Sequence, residues 1–396
     1  MKILTDKQKI EEFLTRGVEV IYPDKDKFRE LLMSGKKLKA YQGFDPTGPY
    51  LHIGHAMGIR ALRLLQELGH EVIFLVGDFT ATVGDPDKDT TRDMLTNEEI
   101  EKNMFGWKKQ ASQLIDFEGK NPVQFKRNSE WLKDIKLPDV LKMMSKTTLQ
   151  RIMERDLFDR RLKAEDPIRL HEILYPLMQG YDGVAMEVDI EIGGADQTFN
   201  MLTGRSLSKA YLNKEKFVRV NKMMNAPDAM TMSKTKGNGI NLSDTVEDMY
   251  GKAMSYADKE IINGFIMLTE VSMNEIENIE KEIKNGANPM QFKKQMAFEI
   301  VKTIKGGNDA KKGQEYFEKI IQNSDKPEEI SELTPSKNGI ITVLVEAGFC
   351  KSTTEARQNI IGGGVKINDQ KVESIEEEVE VGDIIQKGKR FFVKIK

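Results

Sequence analysis

AYQGFDPTGPYLHIGH, residues 40–55, spends two of the chain's four histidines three positions apart, directly after a loop of Gly, Asp, Pro and Thr. Upstream, residues 39–44 read as a short strand. From about Leu51 the apolar residues Ile53, Met57, Leu64, Leu65 and Leu68 recur at helical spacing until Gly69. EVIFLV, 71–76, is then a second strand. Strand, crossover helix and strand predict a parallel βαβ unit, with the helix starting at the carboxyl edge of the first strand. Open α/β sheets keep their ligands at that edge.

His52 and His55 share a face of that helix's first turn. Free backbone N–H groups and the helix dipole favour an anion there, and imidazole N–H groups add donors for phosphate oxygens. Gly43, Gly48 and Gly54 let a ligand come close to the backbone. The pattern points to a phosphorylated ligand, without the spacing of a Walker loop or a dinucleotide fingerprint. A metal site finds no third or fourth ligand, since the single Cys350 lies far along the chain. Two surface histidines capping a helix remain the plain structural alternative.

The 396 residues, with a net charge of -3, fit a large core plus a smaller domain. One cysteine excludes an intrachain disulfide and points to a reducing compartment. The charged opening MKILTDKQKIEEFLTRG lacks a signal peptide's apolar stretch, and no run approaches the roughly 18 apolar residues of a membrane span. A cytoplasmic protein without membrane association is expected. Helices are expected at 8–16, 24–35, 98–115 and 138–155, with a short strand within 121–132. Further strands are expected at EVDIEI (187–192) and KFVRVNKM (216–223), then mostly helix to about residue 323. SDKPEEISELTPSKN has two prolines and few apolar groups, so 324–337 reads as a linker. The final residues suggest a helix at 352–361, a GGG turn and short strands ending in FFVKI.

LHIGH (51–55) matches the "HIGH" motif of class I aminoacyl-tRNA synthetases, and YQGFDPTGPYLHIGH resembles the tyrosyl enzymes in particular. TMSKT (231–235) resembles the second motif of that class, KMSKS, with Thr231 in place of the first Lys and Thr235 in place of the final Ser. GDFTATVGDP (77–86), YPLMQGYD (175–182) and GGADQTFN (193–200) complete five matching clusters, the last with the Phe-Asn pair of one bacterial branch. The resemblance spans essentially the whole chain. It implies a Rossmann-like parallel-sheet α/β catalytic domain over 1–230, with a dimer-interface insertion at about 120–190. A mobile second-motif loop and a helical anticodon-side domain follow over 231–323. A small α+β RNA-binding domain of the ribosomal-protein type occupies 338–396.

The implied activity joins L-tyrosine to tRNA(Tyr) through an adenylate, with ATP as substrate and Mg²⁺ accompanying it, on a homodimer. Such chemistry needs placement and charge stabilisation rather than a protein nucleophile. The resemblance assigns His52, His55, Thr47 and Lys234 to the reacting phosphates, with Lys236 a candidate replacement for the missing first lysine. Gly43, Asp45, Gly194 and Asp196 belong to the ATP site, with Asp196 on the ribose. Tyr41 and Asp182 match the pair that reads the phenol, and Tyr175, Gln179 and Asp85 the groups that hold the ammonium. Gln197 matches the glutamine beside the substrate carboxylate. Tyr175, Gln179 and Asp182 also follow i, i+4, i+7 spacing on one helix face.

STTEARQNIIGGGVKINDQKV (352–372) carries the resemblance to the small RNA-binding domain. Thr354, Arg357 and Gln358 share a helix face, and with Lys366 and Lys371 they suit phosphate contacts. Overall charge gives little support, because the stretch from Pro335 to Lys396 holds ten basic and nine acidic residues. Met143, Met144, Leu149, Phe158 and Leu174 serve equally as core or as interface. Three alternatives stay open: tryptophan activation, a non-catalytic RNA-binding protein on the same fold, and another nucleotidyl transferase of the superfamily.

Overall fold

In a computed structural model describing residues 2–85, 95–227, 232, 239–322, 330–388 and 391–396, six strands build one sheet. They are Val18–Tyr22 (β1), Lys39–Phe44 (β2), Glu71–Val76 (β3), Gln124–Arg127 (β4), Ile190–Gly194 (β5) and Phe217–Asn221 (β6), in the order β1-β6-β5-β2-β3-β4. Neighbours run parallel, except that β1 is antiparallel to β6. The chain leaves β2 toward β3 on one side and later returns to β5 on the other. That reversal opens a crevice beyond the carboxyl ends of β2 and β5.

The sequence reading missed β1. Its five residues are squeezed between the helices Lys7–Thr15 and Lys25–Met33, and Pro23 reads as punctuation rather than as a strand end. Both helices start on aspartate caps: Asp6 accepts from the Gln8 and Lys9 amides, and Asp24 from Lys27. The helix expected from Leu51 runs Ile53–Glu67. The helix expected at 98–115 breaks into Asn97–Met104 and Trp107–Ala111, where Gly106 adopts a φ of +88°. The one expected at 138–155 breaks into Leu137–Met144 and Leu149–Met153, the restart capped by Thr148. The strand expected at 187–192 begins later, because Glu187 holds a left-handed backbone at φ +54°.

Packing follows the aromatic positions of the strands. Phe44, Phe74 and Phe125, on the adjacent strands β2, β3 and β4, stack with centroids 4.4 and 5.5 Å apart. Phe28 stacks on Phe217 at 4.7 Å, fixing the helix Lys25–Met33 against β6. Buried Arg16 donates to the carbonyls of Phe265, Ile266, Thr269 and Val271 at 2.6–3.0 Å. It thereby satisfies the carboxyl end of the helix Ile261–Leu268, whose carbonyls have no partner within the helix.

The chain divides into two compact units, Met1–Gly307 and Asn308–Lys396. Residues 308–322 therefore group with the C-terminal unit rather than with the helical segment before it. The second unit holds a sheet of Ser331–Leu333 (β7), Val365–Ile367 (β8), Gln370–Lys371 (β9), Ile384–Lys387 (β10) and Phe391–Ile395 (β11), ordered β7-β11-β10-β8-β9. β7 corrects the expected linker: part of 324–337 pairs in parallel with β11, since Leu333 can pack on the unit's core. Residues 323–329 lie outside the described ones. The helices Ile340–Glu346 and Thr353–Ile361 cover that core, which includes Val343, Leu344, Cys350, Ile360, Val365 and Ile385.

His70 lies fully buried behind β2, its Nδ1 accepting from the Leu38 amide at 3.2 Å. Its Nε2 meets no partner among the described residues. Burial lowers its pKa to about 4, with Asp189 opposing and Lys37 assisting. The unfolded chain therefore binds more protons between pH 6.5 and 4, and stability is lost as pH falls through that window, by at most about 1.4 kcal/mol per unit. We expect the stability difference between pH 7 and pH 5, read by urea unfolding, to be smaller in His70→Gln, which keeps an acceptor for Leu38 but does not titrate. An equal pH dependence in both proteins would refute this origin.

Candidate active site

His52 caps the helix Ile53–Glu67 with an extended backbone, and its own amide donates to the His55 Nδ1 at 3.0 Å. The two rings lie with centroids 3.7 Å apart. Gly54 makes room for this: a Cβ there would come within 3.0 Å of the His52 ring. The imidazoles thus stand together at a helix N-terminus, beside the loop that carries Asp45 and Thr47. Both of those residues are half-buried.

Residues far along the chain close over this turn. The Ile53 amide donates to the Ile240 carbonyl and the Leu242 amide to the Leu51 carbonyl, each at 2.8 Å, with His52 opposite Asn241. A Cβ on Gly54 would lie 3.7 Å from the Met232 sulfur, and one on Gly239 would lie 3.5 Å from it. Met232 of the second motif and the segment after it therefore pack directly on the first. Thr231, Lys234, Thr235 and Lys236 lie outside the described residues.

Deeper in the crevice, Tyr41 and Glu191 are paired across β2 and β5. The Tyr41 side chain is buried, and its hydroxyl has no well-formed hydrogen bond among the described residues. Burial holds the phenol well above its ordinary pKa, and the Glu191 and Asp182 carboxylates push the same way. Asp182, 2 % exposed, accepts from Trp131 Nε1 at 2.8 Å and Asn128 Nδ2 at 3.2 Å. Its carboxyl is raised well above the usual range by burial; the two donors oppose this, while Glu191 and Asp45 add to it. Tyr175, Gln179 and Asp182 sit along the helix Tyr175–Ala185, as the spacing predicts. The Tyr175 hydroxyl donates to Asp45 Oδ2 at 2.8 Å, and Thr80 Oγ1 donates to Asp45 Oδ1 at 2.8 Å. Gln179 Nε2 faces Glu191 Oε1 at 3.4 Å, whereas Gln179 Oε1 is buried with no partner among the described residues.

The pocket helix is held very close to the helix Thr198–Leu212. A Cβ on Gly180 would come 2.9 Å from the Gly204 Cα, so neither glycine admits a side chain without moving backbone. At the end of β5, Gly194 similarly leaves space for Asp196: its Cβ would fall 2.4 Å from Asp196 Oδ1. Gln197 donates to Asp85 Oδ2 at 2.8 Å while its own oxygen accepts from Asn200 at 2.9 Å. Arg155, 5 % exposed, lies 3.6 Å from Asp85. In the other unit, Thr354, Arg357, Gln358, Lys366 and Lys371 are all exposed. Lys366 stands opposite Lys371 across β8 and β9, an arrangement of like charges that costs stability unless an anion relieves it.

A family model described as "tRNA synthetases class I (W and Y)" matches residues 33–322, and an S4 domain model matches 339–385. A tyrosine–tRNA ligase of Dehalococcoides mccartyi is 36% identical over 393 residues, covering 98% of each chain. One from Geobacter sulfurreducens is 38% identical over 394 residues, covering 96% of this chain and 97% of its own. The chain belongs to the tyrosine–tRNA ligases.

The fold agrees with a solved tyrosyl-tRNA synthetase from Archaeoglobus fulgidus, complexed with L-tyrosine, at a TM-score of 0.62 and 24% identity over 78% of this chain and 99% of that one. Against this family background, the sequence reading missed Asn128, Trp131, Arg155, Glu191 and Lys216. Glu191 was masked by the alternation of Glu187, Asp189 and Glu191 with apolar residues, which reads as the polar face of a strand. Asn128 and Trp131 follow the four-residue β4 and carry no periodicity that marks them.

Proposed function

We propose that this tyrosine–tRNA ligase acts with the residues gathered around β2 and β5. The tyrosine carboxylate attacks the α-phosphorus of ATP, the bond to the β-phosphate oxygen breaks, and pyrophosphate leaves. A ribose hydroxyl at the 3′ end of tRNA(Tyr) then attacks the adenylate carbonyl, and AMP leaves. The observation that carries the reading is a pair of buried polar atoms without well-formed hydrogen bonds among the described residues, the Tyr41 hydroxyl and Gln179 Oε1, on either side of Glu191. A bound tyrosine supplies Gln179 Oε1 with a donor and gives the Tyr41 hydroxyl, which otherwise interacts with Glu191, a further partner. Its phenol hydrogen-bonds Tyr41 and Asp182, and its ammonium donates to Gln179, with Tyr175 and Asp85 close by. Phenylalanine would leave these groups unpaired, a discrimination for which tyrosyl enzymes are themselves the standard illustration.

His52 and His55 receive the charge that builds on the phosphates, assisted by Thr47 and the free amides of the helix start. Lys234 reaches the same phosphates, Asp196 the ribose and Gln197 the substrate carboxylate; Gly43, Asp45 and Gly194 border the nucleotide. A donor-rich turn of this kind suits phosphate oxygens, and Mg²⁺ accompanies them on the nucleotide, offsetting their charge. The reaction takes place in the cytoplasm; no helix among the described residues is long and apolar enough to cross a membrane. Amino-acid-dependent ATP–pyrophosphate exchange tests the reading. Exchange with tyrosine, and far less with tryptophan or phenylalanine, is expected; equal or stronger exchange with tryptophan would overturn the pocket assignment.

The exposed face of the C-terminal unit takes the tRNA backbone through Thr354, Arg357, Gln358, Lys366 and Lys371. Lys366→Gln with Lys371→Gln is expected to raise the KM for tRNA and to flatten its salt dependence, while pyrophosphate exchange stays unchanged. Unaltered tRNA kinetics would remove these lysines from the interface.

A second copy of the chain covers the segment between the two halves of the sheet. Met143 and Phe158 are buried core, but Leu137, Leu141, Leu149, Leu162 and Leu170 are 57–82 % exposed, and Met144 is also exposed. Such a concentration of bare leucines favours a symmetric apolar interface. Sedimentation should give a dimer for the native protein and a monomer for Leu141→Glu with Leu162→Glu. A native monomer at micromolar concentration would exclude it.

A further inference from the structure

Glu191 and Lys216 form a salt bridge with both side chains almost wholly out of solvent, 2 % and 0 % exposed, directly behind the amino-acid pocket. A buried pair of this kind does little for net stability compared with apolar residues of similar size, so its retention needs another reason. The surroundings show that space has been kept for it. A Cβ on Gly183 would lie 3.0 Å from the Lys216 ammonium, and one on Gly204 would lie 2.5 Å from it.

One Glu191 oxygen binds Lys216; the other faces the Gln179 amide nitrogen at 3.4 Å. An ionised carboxylate only accepts hydrogen bonds, whereas a glutamine amide presents an acceptor on one side and donors on the other. With the carboxylate fixed, the amide must turn its NH₂ toward Glu191, because the opposite flip would set oxygen against oxygen. Its oxygen is then the end that remains buried and unpartnered. A donor-bearing cation fits that oxygen.

We propose that the Glu191–Lys216 pair is a positioning device: Lys216 holds the Glu191 carboxylate in place, and Glu191 holds Gln179 with its amide oxygen toward the substrate ammonium. The proposal rests on the reading of this pocket as a tyrosine site and assigns it a part beyond the groups that touch tyrosine. Without Lys216 the buried carboxylate loses the partner that fixes one of its oxygens, and the amide loses its preferred sense. Glu191 does not touch the substrate in this scheme and takes no part in the chemical step.

The test is calorimetric binding of two ligands, L-tyrosine and 3-(4-hydroxyphenyl)propionate, which has the phenol and carboxylate but no ammonium. The proteins are the native chain, Lys216→Met, and the double variant Glu191→Gln with Lys216→Met, which leaves no unpaired buried charge if the single variant fails to fold. Loss of an oriented charge-assisted hydrogen bond should weaken tyrosine roughly 10-fold or more and leave the deamino compound unchanged. Equal weakening of both ligands would make the pair structural support only and overturn the proposal; so would unchanged tyrosine affinity in the double variant. Failure of the native chain to bind tyrosine at all would instead sink the tyrosine-site reading, and this proposal with it.

Discussion

Tyr41 and Glu191 stand side by side because β2 and β5 pair in parallel across a gap of about 150 residues. Nearly every feature of the site depends on that one register. It sets the position at which the strand order reverses, and so where the crevice opens. It brings the loop of Asp45 and Thr47 and the turn of Gly194 and Asp196 out at the same edge. A slip of one residue would turn Tyr41 to the opposite face of the sheet and bury an apolar neighbour where its hydroxyl now lies. β6, the neighbour of β5, adds Lys216 just before its first residue, which is how a cation reaches the floor of an otherwise apolar layer.

The parts of this arrangement that were legible in the sequence share a physical cause. β2, the helix after it and β3 follow one another with strong periodicity, and His52 and His55 fall on the intervening turn. The polar triplet Tyr175, Gln179 and Asp182 shows itself through helical spacing. β1 did not, because a five-residue edge strand carries too short an alternation to compete with a nearby proline. The breaks at Gly106 and Thr148 are single-residue events inside stretches whose apolar period continues through them. Residues that support rather than line the pocket were hidden for another reason. Asn128, Trp131 and Lys216 gain meaning only once tertiary pairing sets them beside Asp182 and Glu191.

The two units place their polar groups differently. In the first, the carboxylates of the site are buried or half-buried and each is matched: Asp182 by the indole of Trp131 and the amide of Asn128, Glu191 by Lys216, Asp45 by two hydroxyls. Those matches fix orientation in a low-dielectric setting, where a misdirected donor is costly. In the second unit Arg357, Lys366 and Lys371 lie in the open, and the two lysines face each other on adjacent strands. Buried order suits recognition of one small molecule; exposed, mutually repelling cations suit a polyanion whose sequence need not be read at every contact.

The contact between Gly180 and Gly204 bears on how this pocket could change over evolutionary time or in the hands of an engineer. With backbone against backbone, the helix carrying Tyr175, Gln179 and Asp182 has no slack to move inward, and any larger residue at the contact would shift all three groups together. On the proposed reading of this cavity, a bulkier amino acid would have to be accepted by trimming side chains within it, at Tyr41 or at Asp182 and its neighbours, since the wall behind them is fixed. The repertoire open to this scaffold is set less by its reactive groups than by two hydrogen atoms on opposing glycines.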